Sequence, residues 1–268
     1  DIARIRLVDI APGRSRATLL DFLESNVALR SKIMLVDYDE PKEIDKSDVV
    51  IVAPGVAHNV NASVPEPSEA DIKKMEEIAG HIGQFTPQAF VAVLSQPAEL
   101  FCKIITKYGD FNPKRVLGFP LLNYREWYRD RIAKLVGLSN EDVRITTVRT
   151  LKGEELVPNQ CGVSGIPLTA LITDPARLPG APSANVMENR LKYFNYAPAA
   201  VVSEVTSELV SKRRQLITAI CHDKETGAFL EAKVLIGPNG FERAIDVDLT
   251  ADQKQRHEEY RRRVSELT

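Results

Sequence analysis

Between Ile5 and Gly118 short apolar runs alternate with amphipathic stretches, and that alternation narrows the fold more than any other feature of the chain. Val49-Val50-Ile51-Val52 is a β-branched run stopped by Ala53-Pro54-Gly55. Ala89-Phe90-Val91-Ala92-Val93-Leu94 is stopped in the same way by Ser95-Gln96-Pro97. Short runs that are apolar on both faces and end in turn residues are those of buried parallel strands. Ile5 to Asp9, Lys32 to Val36 and Arg115 to Gly118 are predicted as further strands. Arg16 to Leu29, Glu69 to Phe85 and Ala98 to Tyr108 carry a helical period, while Lys42 to Ser47 reads as a polar connector and His58 to Pro67 as a loop. Strands alternating with helices in this way imply a mostly parallel, doubly wound sheet. Ligands of such sheets bind beyond the carboxyl ends of the strands, here Asp9, Ala53-Pro54-Gly55, Ser95-Gln96 and Gly118.

The pattern changes after Gly118, which divides the chain into residues 1–118 and residues 119–268. In the second part Asn123 to Val136 is a charged, aromatic-bearing helix and Pro198 to Thr218 a long one. Arg144 to Leu151, Phe229 to Leu235 and Ala244 to Leu249 read as strands, and Leu171 to Ala184 as irregular. Thr250 is placed to cap a last helix. An α+β second domain follows.

Composition excludes several functions. A net charge of -2 gives no electrostatic case for binding nucleic acid. No apolar run approaches the ~20 residues of a membrane span. Cys102, Cys161 and Cys221 are odd in number and set in apolar surroundings, so they read as reduced thiols of a cytoplasmic protein. The four histidines, His58, His81, His222 and His257, show no metal-ligand spacing, so no metal is expected.

Taken in order, several segments are similar to landmarks of one enzyme family. These are Arg6-Leu7-Val8-Asp9-Ile10, Ser47-Asp48-Val49-Val50-Ile51-Val52-Ala53-Pro54-Gly55-Val56 and the strand ending at Gln96-Pro97. Later come Val163-Ser164-Gly165-Ile166-Pro167-Leu168-Thr169, Tyr196-Ala197-Pro198-Ala199-Ala200 and Ile236-Gly237-Pro238-Asn239-Gly240-Phe241-Glu242-Arg243. Nearly the whole chain resembles the lactate/malate dehydrogenase family, bacterial malate dehydrogenases in particular. The resemblance implies a Rossmann-like nucleotide-binding domain over residues 1–118, incomplete at its start, and the family's C-terminal domain over 119–268. The family's first strand and glycine-rich phosphate loop would precede Asp1, so NAD is an expected cofactor only with such a loop upstream. Asp9 matches the acid that holds the adenosine ribose, and Gly55 and Gln96 are candidates to line the cofactor site.

The catalytic positions, by the same resemblance, hold other residues. The catalytic histidine is Lys152, in Leu151-Lys152-Gly153-Glu154-Glu155-Leu156-Val157-Pro158. An ammonium with an unperturbed pKa of ~10 is a poor acid/base partner at neutral pH, where imidazole at ~6.5 is well matched. Neighbouring Glu154 and Glu155 would hold that ammonium charged. The two arginines of the mobile loop are His58 and Val64, neither of which offers a guanidinium fork to a carboxylate. The substrate-binding asparagine is Gln96, one methylene longer. An ungapped match puts Tyr124 and Trp127 at the Asp and Arg of the next helix. A shift of two residues puts Arg125 at the arginine but Leu122 at the aspartate. With Tyr193, the large residues Tyr124 and Trp127 are expected to fill the pocket.

Groups of this kind act as a unit, and losing one removes several kcal/mol of transition-state stabilisation. The leading expectation is therefore a family member without the catalytic His/Asp/Arg set, serving as a structural or regulatory subunit. The alternative is an oxidoreductase of altered substrate or chemistry, with Lys152 as its acid/base group. The family pairs its subunits through surfaces that fall near Thr18–Ser25, Glu126–Lys134 and Val202–Lys212, so a homo- or hetero-oligomer is expected.

Overall fold

The computed structural model describes residues 2–9, 13–38, 40–54, 67–120, 124–182, 196–211 and 213–267. Its first half runs β1 (Arg4–Val8), α1 (Arg14–Ala28), β2 (Met34–Tyr38), β3 (Val49–Val52), α2 (Glu69–Phe85), β4 (Phe90–Val93), α3 (Ala98–Tyr108) and β5 (Val116–Gly118). β3, β4 and β5 are parallel, with Val49 opposite Phe90 and Val93 opposite Gly118. Side chains alternate across the sheet. Val91 and Val93 therefore join Met75, Ile82, Phe101 and Ile105 under α2 and α3, while Phe90 and Ala92 enter the core on the other side. α2 begins with a capping box in which Ser68 and Asp71 each satisfy the other's backbone N–H.

The second half begins with α4 (Tyr124–Val136), followed by β6 (Val143–Arg144), the hairpin β7 (Thr147–Thr150) and β8 (Gly153–Leu156), β9 (Gly162–Val163), β10 (Ile166–Pro167) and the single turn α5 (Leu168–Leu171). Then come α6 (Tyr196–Ser211), β11 (Gln215–His222), β12 (Phe229–Gly237), β13 (Gly240–Ile245) and α7 (Ala251–Leu267). β11 pairs antiparallel with β5 where Ile220 faces Gly118, so one mixed sheet runs β13-β12-β11-β5-β4-β3. α4 packs over β6, β9 and α5 through Tyr128, Ile132, Val143, Val163 and Leu168.

Four expectations change. The parallel sheet is divided: β1 and β2 form a ladder of their own, with Val8 opposite Tyr38, and share none with β3. Arg6 ties the pair to the 3-10 turn Pro41–Ile44 that precedes β3 by donating to the carbonyl of Glu43. The long helix over Pro198 to Thr218 stops at Ser211, and Gln215 to Thr218 enter β11, because Leu216-Ile217-Thr218 fit a half-buried pleated surface next to β12. The strand over Arg144 to Leu151 is broken at Ile145 and Thr146, and the one over Ala244 to Leu249 ends at Ile245. Thr250 does cap α7, its hydroxyl accepting from the Gln253 N–H at 3.3 Å while Gln253 Oε1 accepts from the Thr250 N–H.

No helix among the described residues is long and apolar enough to cross a membrane. Cys102, Cys161 and Cys221 are free and buried.

Candidate active site

The carboxyl ends of β3, β4 and β5 are tied to one another. Ser95 Oγ donates to the Pro54 carbonyl at 2.9 Å and Gln96 Nε2 to the Phe119 carbonyl at 3.2 Å. The amide that the family resemblance assigns to substrate is thus engaged by the backbone just beyond β5. At the end of β1, Asp9 lies 3.7 Å from the Arg14 guanidinium at the start of α1. Gly55, His58, Val64, Leu122 and Tyr193 lie outside the described residues.

α4 and the β7–β8 hairpin hold the remaining predicted positions. Lys152 stands at the hairpin tip, its N–H donating to Thr150 Oγ1 at 3.2 Å and its side chain exposed. The carboxylates beside it are engaged elsewhere. Glu155 makes a bidentate pair with Arg256 on α7 (2.8–3.1 Å), and Glu154 is buried, accepting from the Thr147 hydroxyl at 2.9 Å. Neither is an ion-pair partner of Lys152, contrary to the expectation from their adjacency.

Tyr124 is buried against Gly153. A methyl group on Gly153 would stand 3.1 Å from both the ring Cζ and the hydroxyl, and the glycine's φ is +116°. Gly153 is therefore what lets the tyrosine ring lie over the hairpin. Trp127 does not fill a pocket. Its indole N–H donates to the Gly180 carbonyl at 3.2 Å, and the Arg131 guanidinium stacks on it at 4.3 Å, so it covers the edge of the α4 core.

A cavity of about 70 Å³ lies between α4, α6, β8 and β11. Arg125, Glu154 and Thr218 line it together with Phe119, Val205 and Ile217. The Arg125 side chain is 22% exposed, its Nη1 reaching the Thr218 hydroxyl at 3.4 Å and its Nε lying 3.4 Å from Glu126. Arg125 is the residue that the shifted match placed at the family's arginine, and α4 turns it, not Trp127, towards this space.

Sequence reasoning missed the charged interior behind the cavity. Glu99 on α3, Arg149 on β7, Glu154 on β8 and Glu231 on β12 converge there, with Tyr260 of α7 among them, and the three glutamates are each no more than 4% exposed. Tyr260 donates to Glu99 Oε1 at 3.0 Å and accepts from the Glu231 N–H at 3.3 Å. Arg149 Nε and Glu231 Oε2 stand 3.9 Å apart without a hydrogen bond to either. Burial pushes the Glu231 carboxyl up to about 8, Glu154 reinforcing it and Arg149 opposing it. Burial also raises Glu154, against the pull of Arg149 and the Thr147 hydroxyl. Burial works against the Arg149 charge, but Glu231 and Glu99 more than compensate and hold the guanidinium protonated. The signal available in the sequence was the alternation of β8, which turns Glu154 inward and Glu155 outward.

Comparison with known proteins agrees with the sequence landmarks. Residues 1–118 match the sequence model of the lactate/malate dehydrogenase NAD binding domain. A malate dehydrogenase of Geobacillus thermodenitrificans is 26% identical over 272 residues, covering 95% of this chain and 86% of the relative. One of Bacillus cereus is 28% identical over 273 residues with the same coverage. Among solved structures, the lactate dehydrogenase of Cryptosporidium parvum complexed with lactic acid and nicotinamide adenine dinucleotide superposes with a TM-score of 0.87 at 20% identity, over 99% of this chain and 89% of that one. The malate dehydrogenase of the same organism gives 0.85 at 18% identity, over 98% and 89%. At those identities the structures speak for the fold.

Proposed function

We propose that the chain is a member of the lactate/malate dehydrogenase family, as the match of residues 1–118 and the relatives aligned over 95% of the chain support, and that it does not perform the family's hydride transfer but acts as a structural or regulatory subunit. The observation that carries this reading is the local geometry of the β7–β8 hairpin. Lys152 is exposed at its tip, and the Tyr124 ring occupies the face of Gly153. An imidazole oriented by a carboxylate would be needed there to exchange a proton with a 2-hydroxy or 2-keto acid, and such a group is worth ~10²–10⁴ in rate. Gln96 already spends one amide hydrogen on the Phe119 carbonyl, which ties its side chain to the backbone beyond β5.

Of the groups that would hold a dinucleotide, the described residues supply Asp9 for the ribose hydroxyls. The proposal includes a cytoplasmic setting, supported by the three buried free thiols. It also includes self-association or pairing with an active relative through α1.

The test compares the full chain with its Lys152→Ala variant for NADH and NADPH oxidation in the presence of oxaloacetate or pyruvate. Both proteins are expected to be equally inactive. Turnover in the parent that disappears in the variant would instead establish the second reading, an oxidoreductase using Lys152.

A further inference from the structure

The cavity between α4, α6, β8 and β11 carries both signs of charge in an otherwise apolar wall. Arg125 presents a guanidinium on one side, and its contacts to Thr218 and Glu126, both 3.4 Å, are long enough to yield to a better acceptor. Glu154 presents a carboxyl from the opposite strand and is 3% exposed, so it cannot swing away into solvent. Glu204 of α6, an exposed residue, adds a second carboxylate, and Thr218 adds a hydroxyl. Phe119, Val205 and Ile217 close the rest, and Leu216 is 55% exposed.

These charges select against the family's type of ligand. A dicarboxylate would meet one guanidinium and two carboxylates, a net repulsion within a few ångströms of low-dielectric wall. A simple cation would bring no acceptor for the Arg125 guanidinium and would leave that side of the cavity without a partner. A molecule with a carboxylate and an ammonium on one carbon offers a partner to each sign of charge in the wall, with two charge-assisted hydrogen-bond sets. The volume, about 70 Å³, has room for several waters or a compact ligand and none for a nucleotide.

We propose that this cavity is a binding site for a small neutral α-amino acid, its carboxylate on Arg125 and Thr218, its ammonium between Glu154 and Glu204, and a short aliphatic side chain against Phe119 and Val205. The site goes beyond the non-catalytic reading, since it assigns the subunit a ligand, and it does not depend on whether turnover is lost.

Isothermal titration of the full chain without nicotinamide nucleotide tests it, using L-alanine, L-lactate, which lacks the ammonium, and ethylamine, which lacks the carboxylate. L-Alanine is expected to bind, with L-lactate and ethylamine weaker by about tenfold or more, the worth of one lost charge-assisted set. Arg125→Met and Glu154→Gln should each weaken L-alanine by a similar factor. Glu204→Gln at the exposed mouth, which disturbs no packed core, should weaken it by about two- to threefold and keeps the test open if Glu154→Gln does not fold. L-Lactate binding as tightly as L-alanine, binding indifferent to Arg125 and Glu204, or no heat from L-alanine at about 10 mM would each overturn the assignment. The titration contains no redox partner, so its failure would leave the catalytic question untouched.

Discussion

Lys152 and Glu154 are two residues apart and have opposite environments, because the hairpin turns one out at its tip and the next inward-facing position into the protein. Gly153 between them is the residue on which the arrangement rests. Gly153→Ala would set a methyl group 3.1 Å from the Tyr124 ring at a φ of +116°. It is expected to cost ~1–3 kcal/mol in chemical denaturation, the usual range for a non-glycine residue held in such a conformation. Glu231 makes a second prediction. Its folded pKa of about 8 lies above the unfolded value of 4.5, so between those values the native state keeps a proton that the unfolded chain has released. Stability should therefore fall as pH rises from about 4.5 to about 8, by up to a few kcal/mol. In Glu231→Gln that part of the slope should disappear from urea-unfolding midpoints measured across the same window. A slope equal to that of the parent would show that Glu231 is not its source. The charged interior was not legible because its members come from α3, β7, β8, β12 and α7, and nothing local in the sequence marks their meeting.

At the scale of elements, what was legible depended on whether the local pattern and the packing agreed. α2 and α3 fall where the 3.6-residue period places them, Glu69–Phe85 and Ala98–Tyr108, because each buries one face on the sheet. β11 was hidden behind a helical reading, since Pro198 to Ser211 is helical and Leu216-Ile217-Thr218 continues the apolar character without a break strong enough to end it. Only the pairing with β5 and β12 decides its conformation. α1 raises a different question. Leu19 is buried, but Leu20, Phe22, Leu23 and Val27 are 57%, 43%, 39% and 80% exposed, and Met34 of β2 is 52% exposed. A cluster of this kind on one helix is what the proposed self-pairing through α1 would cover. Leu20→Glu combined with Val27→Glu is expected to convert an oligomer into a monomer in sedimentation velocity with the fold intact. A parent that already sediments as a monomer would remove α1 as a self-pairing surface.

At the scale of the whole molecule, the order of pieces pointed to the fold, while the proposed loss of hydride transfer rests on Lys152, Tyr124 and Gln96 standing where the resemblance puts the family's catalytic positions. The parallel strands β3, β4 and β5 and the mixed strands β11 to β13 form one sheet with cores on both faces, and relatives named malate dehydrogenase align over 95% of the chain. Lys152, Tyr124 and Gln96 could be read as departures from the sequence alone. Their consequences could not, because that Tyr124 packs on Gly153, that Gln96 bonds Phe119 and that Arg125 rather than Trp127 turns into the cavity are facts of placement. Whether the frame persists without hydride-transfer chemistry is decided under single-turnover conditions, with the protein in excess over NADH and saturating oxaloacetate or pyruvate. No oxidation above the protein-free control is expected over hours, against the ~1–10³ s⁻¹ usual for an enzyme turning over. Oxidation of NADH at about 1 s⁻¹ or faster would contradict it.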